Sequence, residues 1–375
     1  MAGIYIHIPF CKKACHYCNF HFSTNLATKD LLLDAICMEI NLKHELFKQE
    51  TIESIYFGGG TPSMLNYKEL NRILGALHHH FNITKDAEIT LEANPDDLNK
   101  EVLCHLMKSG ITRLSIGIQS FFDEDLTWMG RAHTANQAIS CIVEAQDAGF
   151  YNLSIDLIYG SPTTTHSMWE ENLQKTISLK IPHISSYCLT VEDRTALAYQ
   201  IKKEKAKAPD AEAASDQFGI LIQMLEKSNY DHYEISNFAR EGFIAVHNTN
   251  YWKGIPYLGF GPSAHSYYND KRSWNIAHNQ KYIESIAKGM IPETFELLTS
   301  NMKFNEYIMT GLRTKWGVNK AKVSEMGRLY STHLEQNAQR HIQQELMTEN
   351  ENDFQLTREG KFFADRIAME LFIET

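Results

Sequence analysis

The chain has 375 residues, 36 Lys+Arg against 46 Asp+Glu, and a formal net charge of −10. Hydrophobic residues are 43% and charged residues 22%, an ordinary globular balance with enough length for one large domain and a smaller one and no apolar run that would span a bilayer. The acidic excess argues against broad nucleic-acid binding, and an odd cysteine count of seven argues against a disulfide framework.

The opening Met-Ala-Gly-Ile-Tyr-Ile-His-Ile-Pro-Phe reads as a strand over Ile4–Pro9 rather than a signal peptide, so a cytoplasmic location is expected. Cys11, Cys15 and Cys18 follow as C-x3-C-x2-C. Thiolates packed this closely suit an iron–sulfur cluster; three donors on a four-iron cubane leave one iron for a small chelating molecule. Two other readings stand beside this one: inert buried thiols, or a zinc site completed by His16 or His21, although structural zinc pairs usually lie further apart in sequence.

Beyond the cysteines the pattern alternates. Helices are expected over Lys29–Phe47, Tyr67–Phe81, Lys100–Lys108, Ala135–Ala148 and Met168–Leu179. Strands are expected over Ile52–Phe57, Ala87–Ala93, Arg113–Ile118, Tyr151–Ile158 and Ile184–Leu189. Such alternation implies parallel strands covered by helices, an α/β class. A closed or partly open barrel is the preferred form; a doubly wound sheet has the same pattern. Gly58-Gly59-Gly60-Thr61-Pro62 ends the second strand, either to let a ligand approach the backbone or to make a tight turn; the Gly-Lys-Ser/Thr of a phosphate loop is missing. Glu92, Gln119 and Asp156 fall near the ends of the next three strands, the edge where barrel enzymes build their sites. A buried carboxylate there needs a partner, and Arg131 is a candidate carboxylate clamp.

Lys202–Ala214 reads as an exposed turn before a helix over Ala213–Lys227, and the Tyr-, Trp-, Asn- and His-rich stretch from Tyr230 to Asn275 reads as a loop-rich surface around a ligand. From Asn301 three helices, a hairpin at Leu346–Leu356 and a last helix from Thr357 are expected, with Phe363, Ile367 and Leu371 as a buried stripe. These suggest a winged-helix-like module, and the chain divides at 1–285 and 286–375. Residues 301–375 hold 10 Lys+Arg against 11 Asp+Glu, which favours a lid over a DNA-binding wing. Cys37, Cys104, Cys141 and Cys188 read as buried thiols.

Tyr5-Ile-His-Ile-Pro-Phe-Cys11, the cysteine loop, Gly58–Pro62 and Leu91-Glu-Ala-Asn-Pro95 resemble the radical S-adenosylmethionine (SAM) proteins. Ser115-Ile-Gly-Ile-Gln-Ser120, Met129-Gly-Arg-Ala-His-Thr134 and Leu356-Thr-Arg-Glu-Gly360 resemble their oxygen-independent coproporphyrinogen III oxidase-like branch. The resemblance implies a partial (β/α)6 barrel with a smaller C-terminal α+β module. It implies a [4Fe–4S] cluster on Cys11, Cys15 and Cys18, SAM chelated by the open iron, and reductive cleavage of SAM to methionine and a 5′-deoxyadenosyl radical. It assigns Tyr5, Gly59 and Glu92 to the SAM lining, and Tyr17, Gly60, Thr61, Gln119, Arg131 and Asp156 to positions associated with a second SAM in the oxidases. A reduced flavodoxin- or ferredoxin-type protein is the implied electron donor.

Two departures point away from the oxidases. Phe20 stands where they carry a further cysteine, and only ten residues precede Cys11. Val246-His247-Asn248-Thr249-Asn250-Tyr251-Trp252 resembles instead the H-N-x-x-Y-W signature of HemW-type haem chaperones. That resemblance implies haem as cargo, contacted by His247, Asn248, Tyr251 and Trp252, with the imidazole a suitable axial ligand, and haem-accepting respiratory proteins as partners. The alternative function is oxidative decarboxylation of coproporphyrinogen III in porphyrin biosynthesis; a winged-helix regulator with a cluster sensor comes third. Weak peripheral membrane contact is expected only if the acceptor is membrane-bound.

Overall fold

The computed structural model describes residues 1–374. Strands β1 (Ala2–Ile8), β2 (Thr51–Gly59), β3 (Asn82–Ala93), β4 (Arg113–Gln119), β5 (Leu153–Tyr159) and β6 (His183–Cys188) run parallel in sequence order. Between them lie helices α1 (Lys29–Lys43), α2 (Tyr67–His80), α3 (Lys100–Lys108), α4 (Asp123–Met129), α5 (Ala135–Asp147) and α6 (His166–Ser178). Parallel neighbours need a crossover at each step, usually a helix.

The alternation of side chains by two along each strand divides the sheet into an apolar and a polar face. Ile4, Ile6 and Ile8 on β1, Ile55 and Phe57 on β2, Ile89 and Leu91 on β3, and Leu114, Ile116 and Ile118 on β4 are buried in the core with Leu33, Ile36, Leu70, Leu74 and Leu103 of the helices. Each such side chain contributes roughly 1.5–3 kcal/mol. The intervening residues form the other face, and they bond to one another across it. Tyr56 donates to Glu92, Ser115 to Asp156, and Ser154 pairs with His183. A packed polar face of this kind is the wall of a cavity rather than the centre of a closed, apolar barrel.

The sheet is open. After α7 (Ala196–Lys202) and α8 (Ala211–Lys227) come β7 (Asp231–Glu234) and β8 (Asn237–Ala239), and β8 pairs antiparallel with β6. On the opposite side, α9 (Val246–Lys253) leads into β9 (Tyr257–Phe260), a seventh parallel strand against β1. β10 (His265–Tyr268), β11 (Lys271–Asn275), α10 (Asn279–Ala287) and β12 (Glu293–Leu297) follow, and the strands complete a twelve-stranded sheet. The loop-rich expectation for Tyr230–Asn275 is therefore corrected: the stretch holds short strands whose polar and aromatic residues, His232, Tyr233, Asn237 and Asn275 among them, are themselves buried, so composition hides them. The large sheet also continues to Leu297, past residue 285.

The C-terminal module comprises α11 (Ser300–Leu312), β13 (Val318–Asn319), α12 (Lys320–Met326), α13 (Arg328–Gln343), β14 (Met347–Glu349), β15 (Asp353–Leu356) and α14 (Ala364–Glu370). Phe304, Ile308, Leu312, Leu334, Phe354, Ile367 and Leu371 form its own core. The expected stripe is corrected at one position. Phe363 is 43% exposed because a 3-10 turn over Gly360–Phe363 precedes the helix and rotates that residue off its buried side. Among the described residues no helix is long and apolar enough to cross a membrane. Of the four remaining cysteines only Cys141 is buried; Cys104 and Cys188 are exposed, which corrects the expectation for them.

Candidate functional site

The three cysteines lie on a loop whose base is closed by backbone bonds: Cys11 N donates to Ser23 O (3.1 Å) and Ser23 N to Pro9 O (2.8 Å). Its middle is tied to the end of α4, where His16 N donates to Met129 O (3.0 Å) and His16 Nδ1 pairs with Trp128 O (2.8 Å). His21 Nε2 pairs with Asn279 (2.7 Å). Both candidate zinc histidines are thus engaged away from the thiols. Among the described residues no three His, Cys, Asp or Glu side chains converge on a point that would hold a single metal ion. In a mononuclear zinc site all ligand atoms stand about 2–2.3 Å from one ion. On a cubane each thiolate takes a different iron, so three soft donors spread along one loop fit a [4Fe–4S] cluster.

The barrel rim is bonded directly to this loop. Thr61 Oγ1 donates to Cys11 Sγ (3.4 Å), and Arg131 Nη1 donates to Cys15 Sγ (3.3 Å). Arg131 Nη2 also donates to Asn94 Oδ1 (2.7 Å) and Gly117 O (2.8 Å), while Asn94 Nδ2 donates to Thr61 (3.2 Å). Asn94 thus closes a circuit between two thiol-facing groups, a role its place in Leu91–Pro95 hinted at but did not specify. The local sequence sets Arg131: α4 ends on Gly130 in the left-handed region (φ 74°), and Thr134 then caps α5 in a capping box with Gln137. Arg131 Nε is buried without a partner, a donor left over for an anion.

The glycine run is explained by packing. A Cβ on Gly59, whose φ is 107°, would lie 2.5 Å from the His7 ring, and one on Gly60 would lie 2.7 Å from Phe10 O. The absent side chains make room for the root of the cysteine loop. Gln119 sits at the end of β4 with φ 66°, a conformation non-glycine residues adopt at a cost and often at functional sites.

Glu92 accepts from Tyr56 Oη (2.8 Å) and Gly59 N (3.2 Å), and burial pushes its carboxyl up to about 7 against those bonds. Asp156 is likewise raised by burial to about 6, opposed by Arg113, Ser115 and Arg131. Tyr17 lies beside Arg131, with Met129, Ile158, Leu189 and Leu197 around it. Tyr5 stacks on Tyr56 at 6.1 Å, and Tyr56 on His247 at 5.1 Å. Tyr56 is a site residue that the motifs did not single out; its place on the polar face of β2, two residues before Gly58, is the signal.

His247 is 1% exposed. Its Nδ1 pairs with Ser54 Oγ (2.8 Å), its Nε2 with Tyr251 Oη (2.8 Å), and burial lowers its pKa to about 3, so the ring is neutral with both nitrogens occupied. In this arrangement His247 fixes Tyr251 through Nε2. Gly3 leaves the space, its notional Cβ falling 3.3 Å from the His247 ring. Glu88 accepts from the backbone N–H of Val246 (3.1 Å) and His247 (3.0 Å) and so anchors the start of α9. One pocket of about 340 Å³ is lined jointly by Tyr5, Tyr56 and Glu92 and by Asn248, Tyr251 and Trp252. Trp252 Nε1 is buried without a partner. Phe20 is 67% exposed and brings no thiol to the site.

Two family models match the chain: the radical SAM superfamily over residues 5–175 and the HemN C-terminal domain over 298–363. The heme chaperone HemW of Bacillus subtilis is 33% identical, with 98% of each chain covered. That of Mycobacterium tuberculosis is 30% identical over 98% of this chain and 94% of its own. The coproporphyrinogen III oxidase HemN of Escherichia coli superposes with a TM-score of 0.86 over 99% of this chain and 90% of its own, at 24% identity, a likeness of fold.

Proposed function

Because the chain belongs to the radical SAM superfamily and, within it, to the HemW family, we propose that it binds haem and delivers it to haem-accepting respiratory proteins. The observation that carries this reading is the shared pocket: Asn248, Tyr251 and Trp252 face the same space as Tyr5 and Glu92, so cargo and cofactor sites adjoin. Cys11, Cys15 and Cys18 hold the [4Fe–4S] cluster. When bound there with SAM, that cluster supplies one-electron reductive chemistry.

The chain's own residues do the rest. Arg131 and Thr61 donate to the thiol sulfurs of Cys15 and Cys11 and so tie the cysteine loop to the strand ends. Tyr5, Glu92 and the Gly59–Gly60 backbone line the SAM side, and Gln119 and Asp156 border it further along the sheet. Asn248 and Trp252 offer cargo an amide and an unpaired indole N–H, and Tyr251, held by His247, offers an aromatic edge. Electrons come from a reduced flavodoxin- or ferredoxin-type protein. The protein works in the cytoplasm without nucleic acid, and touches a membrane only weakly and only if its acceptor is membrane-bound.

The test is anaerobic. Cluster-loaded protein is titrated with haem, followed by its absorption band, and mixed with an apo haem protein to detect transfer. A parallel incubation with reductant, SAM and coproporphyrinogen III is assayed by mass spectrometry. Haem binding and transfer without decarboxylated product is expected; product without transfer would replace this reading by the oxidase.

A further inference from the structure

Tyr251 has a second cavity on its other side, about 410 Å³, in the groove between the large sheet and the C-terminal module. The volume is within the range of small-molecule sites. Its wall is aromatic and thioether, with Tyr257, Tyr307, Met309 and Met326, and its rim carries Lys253 and Lys322. The other cations of the wall are neutralised: Lys303 by Asp270 (2.5 Å), and Arg272 by Glu296 (3.2 Å) and Glu306. Lys253 and Lys322 have no carboxylate within ion-pair distance among the described residues. Each lies over an aromatic ring instead, Lys253 Nζ 4.7 Å from the Trp316 centroid and Lys322 Nζ 4.2 Å from that of Tyr307.

We propose that this interdomain cavity is a second binding site, distinct from the pocket shared with SAM, for a flat amphipathic dianion. The class that fits is a tetrapyrrole with two carboxylate side chains. The macrocycle lies on Tyr257, Tyr307 and the two methionines, whose polarisable sulfurs suit aromatic faces. The carboxylates stay at the solvent edge and pair with Lys253 and Lys322. Two ammonium groups without counter-ions beside an apolar wall are the complement of such a molecule, and neutral aromatic ligands would leave both unanswered. The inference rests on the haem-carrying reading above and adds to it where the cargo first docks and which groups recognise its carboxylates.

The probe is metal-free protoporphyrin IX, which binds without iron ligation, and its dimethyl ester, which lacks the charges. Both are titrated by fluorescence into full-length wild type, Lys253→Glu, Lys322→Glu and the Gln variants of both positions, with thermal melts to verify folding. Each charge reversal is expected to raise the Kd of the diacid about tenfold, the Gln variants less, while the diester is unaffected. A diacid Kd that ignores both reversals overturns the proposal, as does equal loss for diacid and ester. Haem transfer in the same variants separates the two readings. Intact transfer with lysine-independent porphyrin binding sinks the cavity alone; absent transfer in wild type with lysine-dependent porphyrin binding sinks the chaperone reading and supports the cavity.

Discussion

Arg131 is the side chain at which the cysteine loop and the strand ends meet. One guanidinium reaches Cys15, Asn94 and the Gly117 carbonyl, its planar fork spreading these bonds over two nitrogens in a fixed geometry. Arg131→Lys keeps the charge and loses the geometry. SAM affinity is expected to fall about tenfold, the loss of one charge-assisted bond, while the cluster's absorption persists; equilibrium dialysis with labelled SAM measures the first and the visible spectrum the second. Cys15→Ser, by contrast, is expected to abolish that spectrum.

Glu92 makes a pH-dependent contribution whose sign follows from its environment. Its carboxyl is raised by burial to about 7 from an ordinary value of 4.5. The folded state therefore holds the proton more tightly than the unfolded chain, so the contribution is fully present below about pH 4.5 and is lost as the pH climbs through about 7. Glu92→Gln removes the titration. In the cofactor-free protein its stability advantage over wild type is expected to grow across that interval to about 1–3 kcal/mol, since the group keeps some exposure at the pocket wall. Chemical denaturation at a series of pH values reads this directly, and a difference that does not change with pH would contradict it.

Among the elements, α9 most directly links framework to cargo. It has eight residues, and no side chain of its own caps it; Glu88, from the polar face of β3, takes the two leading amides. Glu88→Gln keeps one acceptor and removes the charge that favours a helix N-terminus. Haem affinity is expected to drop several-fold with SAM affinity unchanged, and parallel loss of both would show that the effect is on the barrel as a whole. The turn after β2 is equally constrained: Gly59→Ala must bear a positive φ and a clash with His7, at about 1–3 kcal/mol, read as a lower denaturation midpoint and incomplete cluster loading. These elements were legible in the sequence to different degrees. The six parallel strands showed because their outward residues are aliphatic and period two. β7 to β11 did not, because short strands rich in Tyr, His and Asn mimic loop composition. Likewise the motif cysteines stood out by spacing and Arg131 by the resemblance over Met129–Thr134, whereas Asn94, Tyr56 and Glu88 act through contacts made only when neighbouring strands come into register: Tyr56 opposite Thr90, Ser54 opposite Glu88.

At the scale of the molecule, the open sheet and the C-terminal module leave two spaces where a closed barrel would leave none. Tyr251 lines both, packed edge-on against Tyr257 at 4.6 Å and tethered to His247. A wall common to two chambers makes their guests mutually aware. If cargo on one side changes how readily the sulfonium compound enters on the other, the reverse influence must be of equal size, because the thermodynamic cycle closes. Cutting the tether with Tyr251→Phe would then weaken the correlation in both directions together, turning one hydroxyl into the gauge of how strongly loading and cofactor occupancy are linked.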